Sequence, residues 1–338
     1  MADFSRVQDI ASKIQSIEIQ GATNVAKAGF KIMEEELQRQ TFSDYEELHK
    51  FTKQASQLLM LARDTEPMLF NGLTYALSVL EEEGQKVTQS VSEESSMSVM
   101  DSSALLQNDS SILQAIQQKV ADSYQEFLHM IKREKVKRIE IGTTLIDEGD
   151  NIVNHCHSSS AVDILIGAHR QGKNIHVYNT ETRPLYQGRI TSTDLVNAGV
   201  PTTMITDSTA GFFIDNLYES HVHINKVIIG CDAIKLNGDV INKVGSFNIG
   251  LSAWHSGIPL YIAGSLLKVD TVDSIEIEQR SPDEVWPERP EQLDIINYAF
   301  DMIPAKCVTG IITEFGVIPP WELKNTIKKY HPWMLGEK

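Results

Sequence analysis

The chain has 338 residues, 41% of them hydrophobic and 22% charged, enough apolar material for two globular domains. Its formal charge of −16 argues against broad contact with nucleic acid or an anionic membrane, although a local cradle of N–H groups and a few cations still suits a small anion. The three cysteines, Cys156, Cys231 and Cys307, lack metal-ligand spacing and make a poor disulfide framework, which points to a reducing cytoplasm.

The opening Met1-Ala2-Asp3-Phe4-Ser5-Arg6 lacks the apolar core of a signal peptide. No apolar run approaches the roughly 20 residues that span a bilayer. Residues 6–20 place Val7, Ile10, Ile14 and Ile17 on one helical face. Val25, Ala26, Phe30, Ile32 and Met33 predict a second helix after Gly21-Ala22. Thr41-Phe42-Ser43 followed by Glu46 resembles a capping box, leading to a third helix through Leu58-Leu59-Met60-Leu61. Pro67 suits the first turn of a fourth, running to about Gly84. Residues 85–110 are rich in serine and acids without a clear period, and read as a weakly ordered insertion. A long helix, or two, is expected from Ile112 to about Leu145.

The rest alternates strand and helix. Strands are expected at Asn151–Cys156, Asn174–Tyr178, Thr202–Thr206, Lys226–Gly230 and Pro259–Ala263. Helices are expected at Ser159–His169, Ser192–Asn197 and Ser246–His255. This pattern predicts an α/β fold with a parallel sheet, whose ligands bind at the carboxyl ends of the strands. Neither G-x-G-x-x-G nor G-x-x-x-x-G-K-[ST] occurs, which lowers a dinucleotide or nucleoside-triphosphate site.

Three strand ends concentrate chemistry. At His155-Cys156-His157-Ser158-Ser159-Ser160 a strand gives way to a helix, where free N–H groups and serine hydroxyls suit a phosphate. The helix dipole favours a Cys156 thiolate base, while a small buried residue, the usual fate of a cysteine, is the alternative. His155 and His157 lie on one face of a strand, but no further Cys or His completes a metal set. In Ile229-Gly230-Cys231-Asp232-Ala233-Ile234, partial burial beyond an apolar strand would raise the pKa of Asp232 and fit it as a general acid. A cap or turn is the alternative. In Asn237-Gly238-Asp239-Val240-Ile241-Asn242-Lys243, Asn237-Gly238 fits a hairpin turn, after which Asn242 and Lys243 suit sugar hydroxyls and phosphate; a surface lysine is the alternative. In Thr180-Glu181-Thr182-Arg183-Pro184, Arg183 suits a phosphate or, with Glu181, a subunit contact. Lys268 suits a phosphate or solvent.

Taken in order, these motifs resemble one family. It contains archaeal ribose-1,5-bisphosphate isomerase, methylthioribose-1-phosphate isomerase and the regulatory α, β and δ subunits of translation initiation factor 2B. Further matches are Ile19-Gln20-Gly21-Ala22, Arg63 with Thr65 and Pro67, and Asn71. The resemblance implies a helical domain over 1–145, with the insertion at 85–110, and a Rossmann-like catalytic domain over 146–338. It implies dimers, often assembled into hexamers. It places a proton-accepting Cys at Cys156 and a proton-returning Asp at Asp232. Phosphate and substrate contacts fall on Gln20, Gly21, Ala22, Thr23, Arg63, Ser158, Ser159, Ser160, Asn242, Lys243 and Lys268, and no cofactor or metal is implied. The expected reaction is an aldose–ketose isomerisation of ribose 1,5-bisphosphate to ribulose 1,5-bisphosphate, with AMP as a candidate activator. The alternatives are a non-catalytic regulatory subunit and methylthioribose-1-phosphate isomerase. One departure bears on the substrate: the isomerase pattern has Arg-Gly-Ala where this chain has Gln20-Gly21-Ala22. Losing a charge-assisted hydrogen bond of about 1.5–3 kcal/mol weakens phosphate binding roughly ten- to a hundredfold.

Overall fold

The structure is a computed structural model, and residues 3–19, 21–63, 65–94, 110–216, 222–273 and 275–336 are described. The chain divides into two compact units, residues 1–132 with 332–338, and residues 133–331. Among the described residues, no helix is long and apolar enough to cross a membrane.

The first unit is helical: α1 (Ser5–Gln15), α2 (Ala22–Arg39), α3 (Tyr45–Met60), α4 (Pro67–Glu94) and the start of α5 (Ser110–Thr144). The cap of α3 sits one residue later than the sequence suggests. Asp44, not Ser43, accepts from the Glu47 N–H (2.8 Å), while the Glu47 carboxylate reaches back to the Ser43 N–H (2.8 Å). This is the reciprocal logic of a capping box in a shifted register. The weakly ordered insertion expected over 85–110 is corrected in part: residues 85–94 continue α4, and residues 95–109 lie outside the described set. Phe30 on α2 is fully buried, stacked on Tyr124 (5.8 Å) and edge-on to Phe127 (5.3 Å). Trp333, from the returning C-terminal segment, packs on Tyr75 (5.3 Å) and Phe127 (6.1 Å).

The second unit carries a seven-stranded sheet in the order β11-β10-β7-β4-β1-β2-β3. Its strands are β1 (Asn151–Asn154), β2 (His176–Thr180), β3 (Thr202–Ile205), β4 (Lys226–Gly230), β7 (Leu260–Ala263), β10 (Gly310–Thr313) and β11 (Gly316–Ile318). All neighbours are parallel except the β10–β11 edge pair. Ile152, Val177, Ile228, Ala263 and Ile312 of this sheet bury against Ala161, Ile164, Leu165 and Ala168 of α6 (Ser159–Arg170). Burial along its length is what permits a short, mostly apolar parallel strand such as β4.

A second sheet, β8-β5-β6-β9, combines β5 (Ala233–Lys235), β6 (Val240–Lys243), β8 (Val269–Asp270) and β9 (Phe300–Ile303). The Asn237-Gly238 hairpin forms as expected: β5 and β6 are antiparallel, and Gly238 takes φ +89° in the turn. The remaining helices are α7 (Gln187–Asn197), α8 (Ala210–Ile214), α9 (Ser246–Ser256) and α10 (Leu323–Tyr330). Emptying the aromatic cluster of the first unit should be costly. Phe30→Ala is expected to destabilise that unit by about 3–5 kcal/mol, read as a lower midpoint in urea unfolding.

Candidate active site

Parallel pairing of β1 with β4 places two loop starts side by side. Beyond β1 lie His155, Cys156 and His157; beyond β4 lie Cys231 and Asp232. Ser158 begins α6 with extended backbone angles and no side-chain cap bond, leaving the Ser159 and Ser160 turn to follow. Gly230 is required by close approach: a Cβ there would stand 2.2 Å from the Ser158 hydroxyl oxygen. The two loops therefore pack against each other through a glycine and a serine.

Cys156 is half-buried and holds a left-handed backbone, φ +68°. A non-glycine residue there carries strain of order 1–3 kcal/mol, a feature of sites that the surroundings over-determine. Its N–H donates to the Thr182 hydroxyl (3.0 Å), and its carbonyl accepts from the Thr191 hydroxyl (2.9 Å). His155 is fully buried. Its Nε2 lies 3.0 Å from the Val244 carbonyl and its Nδ1 2.6 Å from the Thr180 hydroxyl. A carbonyl only accepts, so Nε2 bears the proton and Nδ1 accepts from Thr180. Burial pushes the imidazole pKa down against the pull of Asp207. Because Thr191 gives its hydroxyl proton to Cys156, His157 Nδ1 (3.0 Å) donates to Thr191. Both histidines are thus engaged with protein oxygens.

The expected helix-start thiolate is corrected. Burial, first, and then the Asp232 carboxylate push the Cys156 thiol up to about 12. Lys243 and the His157 N–H pull the other way without prevailing. Desolvation penalises the anion more than a helix terminus stabilises it. The charges that reach Cys156 nevertheless identify its neighbours: Asp232, Lys243 and Asp207.

Lys243 is almost fully buried and pairs across the β6–β9 register with Phe300, its ammonium 4.8 Å from the ring centroid. Asn242 donates to Ser246 (2.9 Å), which donates to the Lys243 carbonyl (2.7 Å) and so fixes the turn into α9. Asp301, opposite Asn242 in the register, accepts from the Gly245 (2.7 Å) and Phe247 (2.9 Å) N–H groups at the same helix start. Burial raises its pKa to about 6 despite those bonds. Lys268 ends a short turn after β7 and donates its ammonium to the Cys231 carbonyl, beside Asp232. That turn is held from beneath: the Glu314 carboxylate accepts from the Leu266 N–H (3.1 Å) and pairs with Arg138 (2.9 Å). Glu134, Glu314 and His331 form one buried cluster there. Burial, then Glu134, push Glu314 up to about 7.

The strand-end residues Cys156, Ser158, Ser159, Ser160, Asp232, Asn242, Lys243 and Lys268 thus share the carboxyl edge of the second unit. The phosphate residues expected in the first unit stand differently. Gly21 has φ +86° and caps α2, beginning at Ala22 and Thr23, through its carbonyl. Gln20 lies outside the described residues. Arg63 pairs with Glu66 (3.1 Å). Arg183 is taken up by the Tyr186 hydroxyl (2.7 Å) and the Val285 carbonyl (2.9 Å). Sequence reasoning passed over Thr191, Asp207 and Glu314, whose partners are 35, 25 and 48 residues away in the chain.

A parallel-sheet unit with its reactive side chains at one sheet edge, preceded by a helical unit, matches a known class. Residues 18–320 match the Initiation factor 2 subunit family, and the chain belongs to that family. Ribose 1,5-bisphosphate isomerase of Thermococcus kodakarensis is 31% identical over 99% of this chain and 98% of its own length. Methylthioribose-1-phosphate isomerase of Desulforamulus reducens is 37% identical, over 60% of this chain and 64% of its own. The solved structure of Pyrococcus horikoshii translation initiation factor eIF-2B shares the fold, with a TM-score of 0.70 and 24% identity over 93% of this chain and 97% of that one.

The electrostatics of Cys156 yield a direct test. Its alkylation by iodoacetamide, followed by peptide mass spectrometry, should keep rising with pH instead of levelling near the ordinary thiol value of about 8.5. Asp232→Asn removes a charge that opposes the thiolate and should speed alkylation roughly tenfold at a given pH. Lys243→Met should slow it.

Proposed function

We propose that this chain is an aldose–ketose isomerase of a sugar 1-phosphate, with ribose 1,5-bisphosphate as substrate and ribulose 1,5-bisphosphate as product. The observation that carries the reading is the juxtaposition of Cys156 and Asp232 at adjacent parallel strand ends, with the ammonium of Lys243 acting on the same thiol. Sequence similarity to ribose 1,5-bisphosphate isomerase over 99% of the chain supports this substrate over methylthioribose 1-phosphate, whose Desulforamulus reducens isomerase matches over 60% of it. Cytoplasmic location, a homodimer or hexamer, and AMP as activator belong to the same proposal.

The raised thiol pKa shapes the mechanism. In the free chain the proton stays on the Cys156 sulfur. Its transfer to the carboxylate creates a thiolate base and a carboxylic acid together. Asp232 then protonates the ring oxygen as the C1–O4 bond breaks, and Cys156 takes the C2 proton to give an enol. Asp232 next removes the O2 proton, and Cys156 returns its proton to C1. C1 is reduced and C2 oxidised within one molecule, and the pair ends with the single proton it began with. The N–H groups and hydroxyls at the start of α6, together with Lys243 and Lys268, hold phosphate.

Cys156→Ser and Asp232→Asn are each expected to lower turnover of ribose 1,5-bisphosphate by about 10²–10⁴-fold with circular dichroism unchanged. Full activity in either would overturn the assignment of the pair. Faster turnover of methylthioribose 1-phosphate in parallel assays would move the reading to that substrate.

A further inference from the structure

We propose that Thr182, anchored by Asp207, is a positioning residue for Cys156: its hydroxyl fixes the left-handed backbone from which the thiol is presented. This rests on the reading of Cys156 as a proton-transfer group.

Cys156 and Thr182 are both non-glycine residues with positive φ, +68° and +64°. For a β-branched residue such as threonine that conformation is a genuine outlier. The two face each other across one hydrogen bond, from the Cys156 N–H to the fully buried Thr182 hydroxyl (3.0 Å). What holds Thr182 is Asp207, just beyond β3. One carboxylate oxygen accepts from the Thr182 N–H (2.8 Å) and the other from the Arg183 N–H (2.6 Å). Both oxygens are therefore committed to the backbone of the loop after β2. A carboxylate spanning two successive N–H groups sets the orientation of that peptide far more tightly than a single bond would.

The residues flanking Cys156 are also clamped: His155 between Thr180 and the Val244 carbonyl, and the Cys156 carbonyl by Thr191. Of these tethers, Thr182 alone binds the Cys156 N–H among the described residues. That bond fixes the peptide plane that carries the Cys156 N–H, and without it the 155–156 peptide can turn and carry Cα and the thiol with it. A displacement of about 1 Å in a reacting group can cost on the order of 100-fold in rate. Three charged groups act on this thiol, namely Asp232, Lys243 and Asp207, so moving the sulfur also changes its titration.

Thr182→Val removes the acceptor at nearly constant volume, whereas Thr182→Ser keeps it. Asp207→Asn leaves the Thr182 hydroxyl in place but turns an NH₂ toward a backbone N–H. The expected result is a kcat lowered about 10- to 100-fold in Thr182→Val and in Asp207→Asn, with KM within about threefold. Thr182→Ser should stay within about threefold of the parent in both. The alkylation-versus-pH curve of Cys156 should be displaced in Thr182→Val and Asp207→Asn and retained in Thr182→Ser. Parental kcat and alkylation in Thr182→Val would overturn the proposal. So would equal impairment of Thr182→Val and Thr182→Ser, which would indicate general damage to the loop. If Thr182→Val does not fold, Asp207→Asn against the parent decides by kcat and KM alone, because loss of the Asp207 charge displaces the alkylation curve by itself. If the parent itself shows no isomerisation, the isomerase reading falls. The alkylation curves then still sustain or overturn the positioning role.

Discussion

The parallel order β7-β4-β1-β2-β3 is the constraint on which the site depends. Parallel strands all end at one edge of a sheet, so each crossover delivers its next residues to the same side. Here five neighbouring ends each contribute a polar or ionisable side chain. The segment after β7 brings Lys268, that after β4 brings Asp232, and that after β1 brings Cys156. The loop after β2 brings Thr182, and the one after β3 brings Asp207. The small second sheet adds Lys243 through the β6–β9 register. Residues from 156 to 268 meet because topology, rather than local sequence, sets their spacing.

Desolvation then decides how Cys156 titrates. A helix start and a lysine both favour the Cys156 anion, yet burial and the Asp232 charge outweigh them. The balance has a consequence for reactivity. A free thiolate would be a strong nucleophile exposed to oxidation and alkylation. A thiol whose pKa is raised to about 12 is little ionised near neutrality and so is less reactive toward such reagents. Under the proposed mechanism transfer of its proton to Asp232 arms acid and base together, which suits a reaction that needs both at once.

Much of this was legible in the sequence, for identifiable reasons. Five of the seven strands of the main sheet are short runs, most of them rich in β-branched residues, and their positions agree with the structure to within about two residues. The Asn237-Gly238 turn carries its own signal. Cys156 and Asp232 follow apolar strands directly, so strand-end logic finds them. The second sheet was largely missed, because strands of two to four residues such as Val269–Asp270 and Phe300–Ile303 are too short for a period to show. The start of α7 was placed five residues late, since Gln187-Gly188-Arg189 has little apolar pattern. The thiol's protonation was misjudged because a local rule, the helix dipole, was applied without knowing how deeply the loop would sink. Asp207 carries no local signature, as its partners lie 24 and 25 residues away.

The cations distinguish themselves by what they already hold. Lys243 rests on the face of Phe300, and Lys268 on the Cys231 carbonyl. Neither of these two partners is charged. Arg63, by contrast, is paired with the Glu66 carboxylate. An incoming phosphate would have to compete with that carboxylate and would find the guanidinium already partly neutralised. In a protein of net charge −16, the buried Lys243 and the partly buried Lys268 would, under the proposed function, draw a dianion to this edge. Holding them with a ring face and a carbonyl keeps them ordered. That arrangement favours the strand-end edge of the second unit over Arg63 as the first anchor for phosphate.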